Sequence, residues 1–178
     1  MIRRRKDVDW MTALRVEDLA YVQQRIALEA WYPMSSFERL GVAILANFQG
    51  AGLEAVRLWG NFSAQQFAKD HATLVAADDP VETLMRLKVQ RATLFDFPAF
   101  DIPSLIDGHA EVAVTYGMGP VAEEAACHQT LGFCEGVLEL AGAHDVRGAI
   151  SDRSWLGAPH TTLVLSWRTS GRPVSRRG

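Results

Sequence analysis

The apolar positions of this chain change their period once. Through the first hundred or so residues they recur at three- and four-residue spacing, which marks helices; after Pro98 they alternate, which marks strands. Between residues 16 and 30, Leu19, Val22, Ile26 and Ala30 share one helical face. Pro33 breaks that pattern. Ser35-Ser-Phe-Glu38 has the spacing of a capping box, which predicts a helix running to about Phe48 and ending at Gly50 and Gly52. The next helix begins near Leu53. Glu54, Arg57, Asn61, Gln65 and Ala68 form its expected wet stripe, and Leu53, Val56, Trp59, Phe62, Ala64 and Phe67 cover most of the remainder, so burial on more than one side is expected. Asp79-Pro-Val-Glu82 starts another helix, with Asp79 as cap, Pro80 in the first position and Glu82 closing the box. Its expected apolar face is Val81, Leu84, Met85, Val89, Ala92 and Phe95, with Glu82 and Arg86 paired on the wet side.

Residues 109–116 alternate after the turn Asp107-Gly108, with Ala110, Val112, Val114 and Tyr116 on one face of a strand. Gly117-Met-Gly-Pro120 then opens a long helix, with Pro120 at its first position and Glu123 and Glu124 in the first turn, where the helix dipole favours them. That helix ends at Gly142, and strands follow at about 144–151 and 160–168, joined by residues 152–159. The expected fold is α+β: a helical N-terminal half packed with a small, mainly antiparallel C-terminal sheet in the order strand-helix-strand-strand. No repeat or linker interrupts it. The expected organisation is a basic N-terminal arm (1–15), a single domain (16–168) and a basic flexible tail (169–178).

Composition narrows the class. A chain of 178 residues with 48% apolar and 22% charged residues is neither disordered, collagen-like nor low in complexity, and it is long enough to bury its own core. A net charge of -3 and a pI near 5.9 argue against a nucleic-acid partner. The ends are basic, with Arg3, Arg4, Arg5 and Lys6 at one and Arg172, Arg176 and Arg177 at the other, so the body is more acidic than the net charge shows. These ends read either as anchors for an acidic partner or as solvated termini. The second reading is favoured because neither carries interleaved aromatics or an amphipathic helix. No window approaches ~18 uninterrupted apolar residues, so no membrane span is expected. Asp7, Asp9, Glu17 and Asp18 interrupt the stretch where a signal peptide would be apolar, which points to the cytoplasm. Cys127 and Cys134 lie two turns apart in one helix, roughly 10 Å along its axis, beyond the ~7 Å a disulfide spans. That suits a reducing compartment.

The densest chemical cluster is Glu123-Glu-Ala-Ala-Cys-His128. Glu124 and His128 are one turn apart, but two ligands fall short of the three or four that zinc takes, so no metal is expected. Glu124, His128, Gly132, Glu135 and Glu139 form a stripe that reads as solvent-facing, while Cys127, Thr130, Cys134, Val137 and Ala141 point to the core. The cysteines then act as small hydrophobes, or Cys127 lines an apolar ligand pocket between helix and sheet. The candidate pocket is Cys127, Cys134 and Val137 with Val112, Tyr116, Leu163 and Leu165 from the strands. His71, His109, His128, His144 and His160 show no metalloprotease spacing, and neither a nucleophile elbow nor a phosphate loop is present, so no enzyme is expected. Phe95, Phe97 and Phe100 crowd into six residues broken by Pro98. Either they cover the core or part of the group is a partner surface. Trp155, in the last connection, reads equally as a contact residue or as a lid over the sheet. Phe97, Phe100 and Trp155 are the candidate interface.

The run Tyr32-Pro-Met-Ser-Ser-Phe-Glu-Arg-Leu40, then Glu54-Ala-Val-Arg-Leu-Trp-Gly60, then the helix end at Gly132 to Gly142, resembles a family of paralogous myxobacterial proteins of similar length. The element order after Asp107 resembles the domain shared by vinyl-reductase-type proteins, haem–nitric-oxide sensors and vesicle-tethering subunits. The resemblance implies helices packed on a small antiparallel sheet, and a protein that binds small apolar ligands or dimerises and recruits partners. The haem-sensing branch needs a proximal histidine on a helix and a Tyr-x-Ser-x-Arg run. That run is absent here, so no cofactor is expected, haem included. The vesicle-tethering branch has a cysteine near an acyl pocket, to which Cys127 is a loose positional match. The expectation is a non-enzymatic bacterial protein-interaction and signalling module, homodimeric and cytoplasmic. The alternative is an apolar small-molecule sensor with its pocket between the 120–142 helix and the C-terminal sheet.

Overall fold

One long helix is held between a second helix and a sheet, and the remaining elements are arranged around that stack. The computed structural model describes residues 9–23, 30–47 and 52–169, so the first eight residues and the last nine, which hold most of the basic ends, lie outside it. The helices are α1 (Trp10–Ala13), α2 (Val16–Gln23), α3 (Met34–Asn47), α4 (Gly52–Asp70), α5 (Pro80–Leu94) and α6 (Pro120–Leu140). The strands are β1 (Phe100–Ile106), β2 (His109–Val114), β3 (Ala143–Asp152) and β4 (Thr161–Thr169). Among the described residues they form one sheet in the order β1-β2-β4-β3, antiparallel throughout. The expected α+β architecture is therefore present, with one strand more than expected.

That strand is β1. Pro103 hides it, because proline cannot donate to a ladder and is confined to edges and irregularities. β1 is an edge strand, and its pairing with β2 shifts register between Asp101 and Ser104, around the proline. Inward positions alternate as strands require: Phe100 and Ile102 on β1, Ala110, Val112 and Val114 on β2, and Leu163, Leu165 and Trp167 on β4 are all buried.

α5 starts as its sequence dictates. Asp79 Oδ1 accepts the Glu82 amide at 2.9 Å, Pro80 fills the first turn, and Arg86 Nε donates to Glu82 at 2.8 Å. Its buried face is centred on Leu84 and Leu87, however, and Met85, Val89 and Ala92 point outward. α3 also departs from expectation. It begins at Met34, which puts Ser35 inside the helix, and Glu38 Oε1 accepts the amide of Gly119 at 2.8 Å. The carboxylate that would have closed a box on α3 instead caps α6, whose N-cap, Gly119, has no side chain to do so. Next to it, Arg39 donates to both oxygens of the fully buried Asp18 at 2.6 and 2.8 Å and so ties α2 to α3. The guanidinium holds the Asp18 carboxyl below its ordinary range, and that charge-assisted pair is what allows a carboxylate to be buried.

The largest correction concerns α4 and α6. Arg57 and Asn61 on one expected wet stripe and Gly132 and Glu135 on the other lie where the two helices pack, while Glu54, Gln65 and Glu139 stay exposed. A side chain on Gly132 would land on the Arg57 carbonyl, and one on Gly60 on the Gln129 carbonyl; one on Gly136 would press on Asn61 and Ala64. Glycine here permits backbone-to-backbone approach. Polar side chains then close the seam: Arg57 donates from Nε and Nη2 to the two oxygens of Glu135 and from Nη2 to the Gly148 carbonyl at 3.0 Å, and Asn61 donates to Glu139 at 3.0 Å. Periodicity scores polarity and not size, so it misassigned this face. The opposite side of α4 leaves Leu58 and Phe62 at 64% and 54% exposure. No helix of the described residues is long and apolar enough to cross a membrane.

Because that seam is steric, Gly132→Ala is expected to cost at least about 1–3 kcal/mol and to lower the melting temperature by several degrees. Leu58→Ala on the exposed side is expected to change stability by no more than about 0.5 kcal/mol. Thermal unfolding followed by circular dichroism compares the two. Equal melting temperatures would contradict the packing described.

Candidate functional site

The end of α5 shapes the site. Phe95 leaves the helix in an extended conformation, and the chain turns back through Pro98 into β1. This brings Phe95 within 5.6 Å of Phe97 and 6.3 Å of Phe100, centroid to centroid, and within 6.0 Å of Tyr116. Opposite them, Phe67 of α4 meets Phe133 of α6 edge to face at 5.5 Å, with His71 stacked behind Phe67 at 4.0 Å. Residues 30–33 and the first turn of α3 add Trp31, Tyr32 and Phe37. These elements enclose a cavity of about 730 Å³, open to solvent on one side, with nine aromatic side chains in its wall among the described residues. That volume lies within the ~300–1,000 Å³ usual for small-molecule sites.

Few polar groups reach this wall. Tyr116 Oη lies 2.6 Å from Thr130 Oγ1, and Thr130 Oγ1 donates to the Ala126 carbonyl at 2.8 Å. The threonine has one proton and uses it there, so Tyr116 is the donor between the two. Burial raises the Tyr116 phenol above its ordinary pKa and pushes the Cys134 thiol up to about 12, so both stay neutral at physiological pH. Gln129, Asp96, the Tyr32 hydroxyl and the Trp31 indole are further polar groups of the wall; no histidine, lysine or arginine lines the cavity among the described residues. Tyr116 is held from behind by the buried Glu123, whose carboxylate accepts the amides of Tyr116 at 3.0 Å and Met118 at 2.9 Å and the Ser154 hydroxyl at 3.2 Å. Gly117 turns that loop at φ +71, a conformation that favours glycine.

The sequence-derived pocket residues divide between two places. Val112, Tyr116 and Cys134 line the cavity. Cys127, Val137, Leu163 and Leu165 are fully buried, and the Cys127 thiol is pushed up to about 12, mainly by burial. Around these four residues α6 and the sheet are in contact, and the cavity opens beside them, between α6, the β1–β2 end of the sheet and the helical half. Of the candidate interface residues, Phe100 is 7% exposed and belongs to the core, Phe97 is a half-buried wall residue, and Trp155 packs half-buried against the core with its ring 6.5 Å from His128. The expected partner surface at Phe97 and Phe100 is thus the inside of the cavity. Sequence reasoning missed Trp31, Tyr32, Phe37, Phe67 and Phe133, which meet only through the tertiary fold. The crowded Phe95–Phe100 run was the available signal. No group of three or more histidine, cysteine, aspartate or glutamate side chains that could hold a metal occurs among the described residues.

No protein-family model and no curated protein matches the chain. Solved structures do match. An H-NOX protein from Shewanella oneidensis in the Fe(II)NO ligation state superposes with a TM-score of 0.63 at 14% identity, over 82% of each chain. A mutant H-NOX protein from K. algicida in the Fe(II) unliganded state gives 0.59 at 13% identity, over 87% of this chain and 88% of that one. A mutant H-NOX from T. tengcongensis gives 0.60 at 12%, over 86% of each. The chain has the H-NOX fold, which upholds the resemblance to haem–nitric-oxide sensors at the level of fold.

The likeness corrects the expectation of no cofactor. Haem is the group named for the H-NOX family, and this chain builds a cofactor-sized cavity in the same fold. The wall suits a macrocycle in volume and apolarity, and Met34, Tyr116 and Cys134 carry the atoms that can face an iron. It does not suit the carboxylates of haem. Tyr116 is followed by Gly, Met, Gly and Pro, so the Ser and Arg of the Tyr-x-Ser-x-Arg run have no counterpart, and α5, which ends at the cavity, carries no histidine.

The two raised thiols make a direct prediction. Near pH 8 neither Cys127 nor Cys134 is expected to react with a maleimide on the timescale that consumes a free cysteine, and both are expected to react in denaturant. Mass spectrometry of the labelled chain counts them. Rapid native labelling of Cys127 would contradict its burial.

Proposed function

We propose that this chain is a small-ligand sensor that holds its ligand in the aromatic cavity. One observation carries the reading: the wall is shared between the helical half (residues 30–37 and the ends of α4 and α5) and the α6–sheet half. A ligand in that position touches both. It shifts the equilibrium between two arrangements of the halves by the difference in its affinity for them. The elements able to report the shift are already linked, since Glu38 on α3 holds the amide at the start of α6 and Arg39 ties α3 to α2. Tyr116 and Gln129 orient the ligand, and the phenylalanines exclude water from it.

In this reading the chain is a bacterial, cytoplasmic signalling protein, and the two unbridged thiols support a reducing compartment. A second protein, or a second copy of the chain, receives the signal. The exposed apolar side of α4 is compatible with such a contact.

The test uses the neutral dye Nile red on the full chain, together with native mass spectrometry. Saturable, blue-shifted emission with one dye per chain is expected. Gln129→Trp, which fills the cavity, is expected to weaken binding about tenfold or more at unchanged melting temperature. Absence of saturable binding, or binding indifferent to Gln129→Trp, would reject the reading.

A further inference from the structure

We infer that the ligand of this cavity is an organic cation with an apolar or aromatic body. The inference rests on the sensor reading and specifies its ligand. Among the described residues the only charged side chain in the wall is Asp96, beside Phe95 and Phe97 at the rim. It makes no ion pair with the described residues. The cations nearest to it in sequence, Lys88 and Arg91 on α5, are committed to Asp101 on β1 at 3.0 and 2.9 Å and are not part of the wall. Among the described residues, the cavity wall therefore holds a negative side chain and no positive one.

Of the neutral groups, Gln129, Trp31 and Tyr32 carry donors that serve no charge in particular, and Tyr116 has the polarity of the carboxylate. Tyr116 uses its proton on Thr130, so its oxygen retains only acceptor capacity. The aromatic rings present negative π faces, which attract ammonium and guanidinium groups within about 6 Å, most strongly where water is excluded. The N-terminal end of α3 also opens here, with its Ser36 and Phe37 amides on the Pro33 carbonyl at 3.0 and 3.3 Å, so the positive element at this wall is a helix dipole and not a charged side chain. Among the described residues no positive side chain would meet an anionic ligand, which would desolvate beside a carboxylate, the unfavourable case for a buried charge. A cationic ligand finds a carboxylate at the mouth, aromatic faces along the wall and a phenolic acceptor deeper in.

Three probes with one ring and different charge test this: 1-naphthylmethyl-trimethylammonium, 1-naphthylacetamide and 1-naphthylacetate, each titrated calorimetrically into the full chain at neutral pH. The ammonium is expected to bind about tenfold or more tighter than the acetate, with the amide between them. Asp96→Asn, a change at an exposed rim position, is expected to remove most of that preference while leaving amide binding unchanged. Phe97→Leu is expected to weaken the ammonium more than the amide. Equal affinities, tighter acetate binding, or a charge preference unmoved by Asp96→Asn would overturn the inference. So would failure of all three probes where Nile red still binds. If Nile red also fails to bind, the sensor reading itself falls.

Discussion

The carbonyl oxygens of Arg57 and Gln129 stand where side chains would otherwise project from Gly132 and Gly60. That backbone contact between α4 and α6 fixes the depth at which the helical half rests on the sheet half. Its closeness depends on absent side chains, and its register is set by the polar pairs at its margin, Arg57 with Glu135 and Asn61 with Glu139. Arg57 also reaches the Gly148 carbonyl of β3, so one guanidinium spans α4, α6 and the sheet. With α6 clamped on both sides, its cysteines, Leu131 and Leu138 can be wholly interior.

The cavity lies beside that contact, its α6 residues Gln129, Thr130, Phe133 and Cys134 interleaving with Gly132 and Gly136 along the helix. Where Gly60 and Gly132 pull the helices together, no room remains. On the neighbouring face Phe67 and Phe133 meet edge to face and stand in the cavity wall. The α5–β1 turn contributes three phenylalanines, and the chain before α3 contributes Trp31 and Tyr32. Buried carboxylates hold the margins. Glu123 fixes the loop carrying Tyr116, and Asp18 anchors α2 to α3 through Arg39. Each is fully engaged in hydrogen bonds, the condition under which a buried charge is tolerable.

Element types were legible wherever period and capping chemistry agreed, as for α5 with its Asp79 cap and for β2 with its alternation behind Asp107-Gly108. Two kinds of information were not legible. Edge position, which makes Pro103 acceptable in β1, depends on a neighbour that local sequence does not name. Side-chain size at an interface, which turned the Arg57–Asn61 and Gly132–Glu135 stripes inward, is invisible to a polarity count. The pocket residues divided for the same reason. Val112, Tyr116 and Cys134 were found because they lie on inward faces. Cys127, Val137, Leu163 and Leu165 lie on inward faces too, but there α6 and the sheet are already in contact. Nothing local indicated that Phe67 would meet Phe133.

A seam built from main-chain atoms has a further consequence. Its geometry asks only that a few positions remain glycine, and it is indifferent to what stands in the cavity wall. Wall side chains can therefore be exchanged one at a time, altering what the cavity accepts, without disturbing the alignment of α4, α6 and the sheet. Shape and chemical preference are under separate control in such a scaffold, which is how a fold can be shared at 12–14% identity while the contents of its cavity diverge.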